Sequence, residues 1–208
     1  LLVAPISESR PPAFYDHGWT DACGAVLADG GPDGAAVRLQ LGGSALEARR
    51  ALGATDDLLL EELRDKRSRY HLHATRVDLC RDTGSKRWTP TALASALSEG
   101  RYRSTWRGLD DAEVYGRVSS GLNGVYLGSR SSDVFMRVYD RALRMLKLGK
   151  EPPAARWTRW EIQLRKGHAD RVLAALLDAS RLDRPEAAVL AAMDAVLRGT
   201  KRARFEMT

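Results

Sequence analysis

Apolar and polar positions alternate with a period of two in several short stretches, and that alternation predicts strands. Val37-Arg38-Leu39-Gln40-Leu41 is one of them. Tyr70 to Arg81 reads as another, with Val77 and Leu79 toward the core and Arg76 and Asp78 on the opposite face. Val125 to Gly128 and Val134 to Tyr139 read as a strand pair around Ser129-Arg130-Ser131-Ser132. In the second member, Val134, Met136 and Val138 share one face while Phe135, Arg137 and Tyr139 share the other. Trp157 to Arg165 repeats the pattern: Trp160, Ile162 and Leu164 point one way, and Arg159, Glu161, Gln163 and Arg165 the other.

Helical periodicity fills much of the remainder. Ser44 and Glu47 have the spacing of a capping box ahead of a helix over Ala45 to Leu52. A second helix over Asp56 to Arg64 takes Leu58, Leu59 and Leu63 as its apolar face. Thr89-Pro90 opens a third, to about Leu97. A basic helix should follow Tyr139 and run through Leu148, and two more are expected over His168 to Ala179 and Arg184 to Arg198. Turn residues cluster at Asp29 to Gly34, Asp82 to Ser85 and Gly149 to Pro153, and the opening through Pro12 reads as an irregular arm. Phe14 to Leu27 is only weakly patterned, and Ser104 to Arg117 has no clean period. The mixture predicts an α+β fold, a mostly antiparallel central sheet with flanking helices. Its 208 residues suffice for one ordinary core: residues 1–36 form an arm and the start of the domain, 37–180 the domain proper, and 181–208 a C-terminal helix and tail.

Charge sharpens this picture. Lys and Arg number 33 against 27 Asp and Glu, a net +6. The stretch from Arg130 to Lys166 alone holds ten basic and four acidic residues, again +6. Such a concentration favours a polyanionic partner, although a solvated helix face would produce it too. Cys23 and Cys80 stand far apart without a CxxC spacing, so neither a disulfide framework nor a zinc site is expected, and reduced thiols of a cytoplasmic protein are. No apolar run approaches the roughly 18 residues of a membrane span, so no membrane partner is expected. Gly42-Gly43-Ser44 lacks the Gly-Lys-Ser/Thr ending of a P-loop and gives no reason to expect ATPase activity.

If the later strands share one sheet, its non-core face displays Asp78, Glu161, Arg137, Arg159, Tyr126 and Tyr139. Two carboxylates can hold a hard divalent cation, arginines can neutralise phosphoryl oxygens, and a phenol can attack phosphorus. The plainer roles are salt bridges for the acids and half-buried packing for the tyrosines. His71 and His73 are metal-ligand candidates, but in an unbroken strand they face away from Asp78. His17 and His168 are weaker candidates, and Cys80 is expected to be a buried sheet cysteine.

Four segments together resemble one family. They are Thr75-Arg76-Val77-Asp78-Leu79-Cys80-Arg81-Asp82, Val125-Tyr126-Leu127-Gly128-Ser129-Arg130, Ser132-Asp133-Val134-Phe135-Met136-Arg137-Val138-Tyr139-Asp140 and Arg159-Trp160-Glu161-Ile162-Gln163-Leu164-Arg165. In order and separation they resemble the replication initiation factor (Rep_trans) family of rolling-circle initiators and related conjugative relaxases, over about Val37 to Leu177. The resemblance implies that 37–180 is a nicking catalytic domain. It implies a metal-dependent, site-specific single-strand endonuclease forming a 5′-phosphotyrosine, to begin rolling-circle replication or conjugative transfer. The alternative is a non-catalytic module that binds an origin hairpin. By the resemblance, Asp78 and Glu161 are the positions for Mg2+ or Mn2+, Tyr139 is the preferred nucleophile with Tyr126 as fallback, and Arg137 assists. Arg76, Arg130, Arg141, Arg159 and Arg165 are expected to contact DNA. Single-stranded or hairpin origin DNA is the implied partner, with a host helicase and a second copy of the chain as further candidates. Position 141 departs from the family habit: it is Arg where Lys often follows Tyr-Asp, and the two cations are not equivalent in phosphate geometry.

Overall fold

The computed structural model describes residues 3–31, 37–86, 89–101, 113–115 and 124–179. The chain divides into two compact units, Leu1–Arg69 and Tyr70–Thr208.

The first unit is built on a four-stranded antiparallel sheet, β1 (Ile6–Glu8), β2 (His17–Asp21), β3 (Val26–Asp29) and β4 (Arg38–Gln40), ordered as in the chain. The opening is therefore not an irregular arm, and a boundary at residue 36 would cut one sheet between β3 and β4. Asp21, at the end of β2, anchors this unit. It accepts backbone N–H groups from Val3 (2.9 Å), Cys23 (2.9 Å) and Ala25 (2.8 Å) and pairs with Arg49. Arg49 lies on α1 (Gly43–Ala51). The expected capping box does not form: Gly42 is the N-cap, without a side-chain cap, and Ser44 falls inside the helix. Helix α2 runs over Asp56–Arg69, beyond the predicted end at Arg64. Asp56 and Asp57 in its first turn and Lys66, Arg67 and Arg69 in its last complement the helix dipole, which supports the extra turn. No residue of α2 is buried and Leu58 is exposed, so the predicted leucine face is not a core face.

The second unit holds a five-stranded antiparallel sheet. Its strands are β5 (Arg76–Thr83), β6 (Glu113–Tyr115), β7 (Gly124–Leu127), β8 (Val134–Asp140) and β9 (Thr158–Arg165), in the spatial order β5-β9-β8-β7-β6. Among the described residues three helices accompany them: α3 (Pro90–Ser98), α4 (Arg141–Lys147) and α5 (Lys166–Ala179). Thr89 caps α3 by accepting from the Ala92 N–H at 3.2 Å, as Thr89-Pro90 predicts. Helix α5 packs against β5 and β9, and α3 against β7 and β8. Between them lie Leu79, Val125, Leu127, Val138, Ile162 and Leu164 of the sheet and Leu93, Val172 and Leu176 of the helices, all buried. Each such side chain contributes about 1.5–3 kcal/mol on burial. The α+β architecture with antiparallel sheets and flanking helices follows from the strand parity. The expected helix over Arg184 to Arg198 lies outside the described residues. Among the described residues, no helix is long and apolar enough to cross a membrane.

Two boundaries of β5 differ from expectation. Tyr70 to Thr75 is not strand, because β9 ends at Arg165 opposite Arg76 and leaves nothing for earlier residues to pair with. At the other end, Asp82 and Thr83 are strand rather than turn, because Arg159 and Thr158 continue the ladder beside them.

Candidate active site

Register turns the predicted polar face into rows of neighbours. Cys80, Glu161, Arg137 and Tyr126 line up across β5, β9, β8 and β7. On one side lies the row Asp82, Arg159, Tyr139 and Gly124, and on the other Asp78, Gln163 and Phe135. The next row pairs Arg76 with Arg165. All six residues expected on this face share it.

The centre of the face is an arginine held by two acids. Arg137 Nε donates to Glu161 Oε1 at 2.9 Å, and its Nη2 closes on the same oxygen. That Nη2 is also 3.8 Å from Asp78 Oδ2, so both candidate metal carboxylates meet on one guanidinium. Asp78 takes a further bond from Arg76 Nε at 2.8 Å. Burial opposes the Arg137 charge, but the hydrogen bond and charge of Glu161, with Asp78 behind them, outweigh it and raise its pKa.

Tyr139 reaches the same carboxylate from the next row. Its hydroxyl donates to Glu161 Oε2 at 3.2 Å, and the residue is only 4% exposed. Burial pushes the phenol pKa up, and the Glu161 charge pushes it the same way. Arg159, Arg144 and a hydrogen bond from Arg141 pull it back without cancelling the rise. The Arg144 guanidinium carbon stands 5.3 Å from the Tyr139 ring centroid. Asp140, the next residue, caps α4 by accepting from the Leu143 N–H at 2.8 Å. The Tyr-Asp pair of the sequence thus joins the buried phenol to the residue that starts the following helix.

Asp82 is an acid of this face that the sequence pattern hides, because Asp82-Thr83-Gly84-Ser85 reads as a turn. It forms a two-pronged ion pair with Arg159, at 2.7 Å from Nε and 2.6 Å from Nη2. Burial alone would raise the Asp82 carboxyl, but Arg159, Trp157 and Arg141 together hold it below the usual range. Cys80 is exposed rather than buried. Partial cover of its sulfur pushes the thiol up and leaves it protonated beside Glu161. Gln163 is buried on this face, and its Nε2 has no hydrogen-bond partner.

The other candidates sit in definite contacts. Tyr126 tilts against Phe135 with ring centroids 5.3 Å apart, and the Arg130 guanidinium carbon lies 4.2 Å from the Tyr126 centroid. Arg165 Nη1 donates to the Arg130 carbonyl at 2.9 Å. Arg141 lies over Trp157 at 4.7 Å. His71 and His73 precede β5, so the parity objection to them loses its basis. His73 Nδ1, however, is 3.6 Å from Asp170 of α5, and no contact brings it to Asp78.

Among the described residues, no group of three or more His, Cys, Asp or Glu could hold a metal ion. Asp78 and Glu161 supply two hard oxygen donors on one face. Magnesium commonly takes one or two carboxylates and completes its shell with water and substrate phosphate, so this donor set fits Mg2+ or Mn2+. Arg137 currently contacts both donors.

Charge follows the units. Residues 1–69 carry eight Lys or Arg against eleven Asp or Glu, net −3, which leaves 25 against 16, net +9, for residues 70–208. The basic excess thus belongs to the unit that holds this face.

Residues 73–204 match the family described as Replication initiation factor, Rep_trans. No curated protein matches the chain. Among solved structures, it is similar to the rolling circle replication initiator protein from Geobacillus stearothermophilus, with a TM-score of 0.65 and 21% identity. That similarity covers 85% of this chain and 66% of the other, so the chain spans just under two thirds of its relative's length. It is a likeness of fold. The family match takes in most of the chain and every strand of the five-stranded sheet, and the chain belongs to the replication initiation factor family, Rep_trans.

Proposed function

We propose that the chain cuts one strand of single-stranded or hairpin origin DNA, with Tyr139 as the nucleophile. The observation that carries the reading is the Tyr139 hydroxyl donating to Glu161 at 3.2 Å, with arginines around both groups. A phenol with a raised pKa attacks slowly unless a base takes its proton, and Glu161 Oε2 is placed to do so. In the attack, the phenol proton passes to Glu161 and the phenolic oxygen bonds to phosphorus. The bond from phosphorus to the 3′ oxygen breaks, and that oxygen leaves as a hydroxyl after taking up a proton. The 5′ phosphate stays on the tyrosine. Arg137 and Arg159 supply fixed positive charge where the phosphoryl oxygens become more negative. Asp78 and Glu161 are the residues that would hold Mg2+ or Mn2+, which would add Lewis-acid neutralisation of those same oxygens. Origin DNA as partner, with a host helicase and a second copy of the chain, follows the family likeness.

A second reading has its own support. Tyr139 is almost fully buried and both carboxylates are paired with arginine, as suits a module that binds origin DNA without cutting it. A labelled single-stranded hairpin, incubated with protein and Mg2+ or Mn2+ and run on a denaturing gel, separates the two. The nuclease gives a site-specific break and a protein–DNA adduct that survives denaturation. Tyr139→Phe should lose both while retaining hairpin affinity, and Tyr126→Phe should keep both. A mobility shift with no adduct selects the binding module. A normal adduct from Tyr139→Phe rules out this nucleophile.

A further inference from the structure

We propose that Tyr126, Arg130 and Phe135 form a stacking platform for an unpaired nucleobase beside the phosphate that Tyr139 attacks. The inference rests on the DNA-facing reading of the five-stranded sheet and assigns Tyr126 to binding rather than to attack.

The platform is held by backbone as well as side chains. Gly128, at φ +84°, ends β7 in a conformation that favours glycine. The following turn closes through the Ser132 N–H to the Ser129 carbonyl at 3.0 Å, and the Ser129 and Ser131 hydroxyls lie 2.8 Å apart. Arg165, reaching from β9, fixes the Arg130 carbonyl at 2.9 Å. With its backbone set, the Arg130 guanidinium lies 4.2 Å from the Tyr126 ring centroid. Phe135 supports that ring from the next strand and is itself only 4% exposed, so the stack has a fixed base. Arg130 is exposed and Tyr126 half-buried, which puts a planar cation and an aromatic ring at the surface in one stack.

Chemistry and position both suit a base. Aromatic rings and guanidinium planes accept the π-face of any nucleobase, and such stacking tolerates sequence. Tyr126 is directly opposite Arg137, which is directly opposite Glu161. Neighbouring strands lie about 4.8 Å apart, so the platform stands about one strand spacing from Arg137 and about two from Glu161. A nucleotide whose phosphate meets Arg137 can therefore lay its own or the adjacent base on Tyr126 and Arg130. An arginine resting on a tyrosine is also ordinary surface packing, and the experiment must separate that from a base site.

The test is equilibrium binding, without divalent metal, of the full chain to dT16 and to a 16-mer of abasic tetrahydrofuran residues with the same phosphates. Stacking by one base is worth roughly 5- to 150-fold in affinity. Wild type should prefer dT16 by at least that lower factor. Tyr126→Leu and Arg130→Lys should each cut the preference about five-fold or more, leaving abasic binding within two-fold. Arg130→Lys keeps the charge and sits on the surface, so it decides the matter should Tyr126→Leu fail to fold. A preference unchanged in Arg130→Lys, or affinities for both oligonucleotides falling together, overturns the platform. Equal wild-type binding of the two oligonucleotides also overturns it and leaves the Tyr139 reading standing. Failure to bind either one sinks the DNA-facing reading and the platform together. A Tyr139→Phe protein that still forms an adduct sinks only the nucleophile.

Discussion

Replacing Arg137 by Gln should tighten divalent-metal binding even as it harms nicking. In the free chain the guanidinium occupies Glu161 through two donors and stands 3.8 Å from Asp78. A cation that takes these oxygens must first displace those contacts. One hydrogen bond to a charged group is worth about 1.5–3 kcal/mol, and Arg137 is partly exposed, so solvent screens the rest. Counting only one such bond, Arg137→Gln should bind Mn2+ roughly 10- to 150-fold more tightly. Gln retains similar size and one neutral donor, while Arg137→Lys keeps the charge and should fall between. Isothermal titration with Mn2+ on the DNA-free protein gives the affinities without reference to activity. Circular dichroism would show that the variants are folded. In the same variant the adduct assay should show slower nicking, because the charge facing phosphate is gone. An Arg137→Gln protein that binds Mn2+ no better than wild type would refute the idea that arginine and metal compete for Asp78 and Glu161.

Three further outcomes test other parts of the molecule. Burial alone would raise the Asp21 carboxyl, but three backbone N–H groups and Arg49 hold it below its ordinary value. Its contribution to stability is therefore present above the unfolded pKa near 3.9 and lost as pH falls through the lower folded value. Asp21→Ala should cost about 3–5 kcal/mol in urea melts at neutral pH by removing the carboxylate from a buried ion pair with Arg49, and a loss under 1 kcal/mol would contradict that. Gln163→Met removes the buried Nε2 that has no partner and should stabilise the free protein by about 1 kcal/mol, read as a higher Tm. A clear drop in Tm would mean that this amide is bonded. Hairpin affinity should fall by orders of magnitude between low and physiological salt, since the second unit carries the basic excess. A flat salt profile would argue against phosphate contacts.

Parity and pairing were not equally legible in the sequence. Alternation along Val134 to Tyr139 and Trp157 to Arg165 assigned the two faces of β8 and β9, because each side chain's direction is a local property of an extended chain. Which residue sits opposite which is non-local. Nothing in the sequence set Arg137 across from Glu161, or Arg159 across from Asp82. For the same reason alternation alone starts β5 too early. Tyr70 to Thr75 alternates well enough, but Lys166 has already left the strand for α5, and its N–H bonds to the Thr75 carbonyl. The first sheet was harder still: strands of three to five residues such as Ile6–Glu8 show almost no period, and they form only because a partner is present.

The arginines make the difference between reading a face and reading a site. Five of them were expected to meet DNA, and in the free chain each already meets the protein. Arg76 holds Asp78, Arg159 holds Asp82, Arg165 holds the turn at Arg130, Arg141 lies on Trp157, and Arg130 lies on Tyr126. These contacts are not equivalent under substitution by phosphate. A phosphodiester brings its own negative charge, so it can replace a carboxylate partner only where the freed carboxylate finds another cation. Asp78 and Glu161 would find one in a divalent metal. Asp82 is instead gripped by Arg159 through both Nε and Nη2, whereas Asp78 and Glu161 meet on Arg137. The Arg159–Asp82 pair should therefore persist in the complex and position the guanidinium near Tyr139, while Arg137 is the arginine free to change partners. Asp82→Asn should then weaken nicking through misplacement of Arg159 while leaving Mn2+ affinity close to wild type, and Asp78→Asn should weaken Mn2+ binding directly. Equal losses of Mn2+ affinity in both variants would show that the two acids belong to one metal site and that this division of labour is wrong.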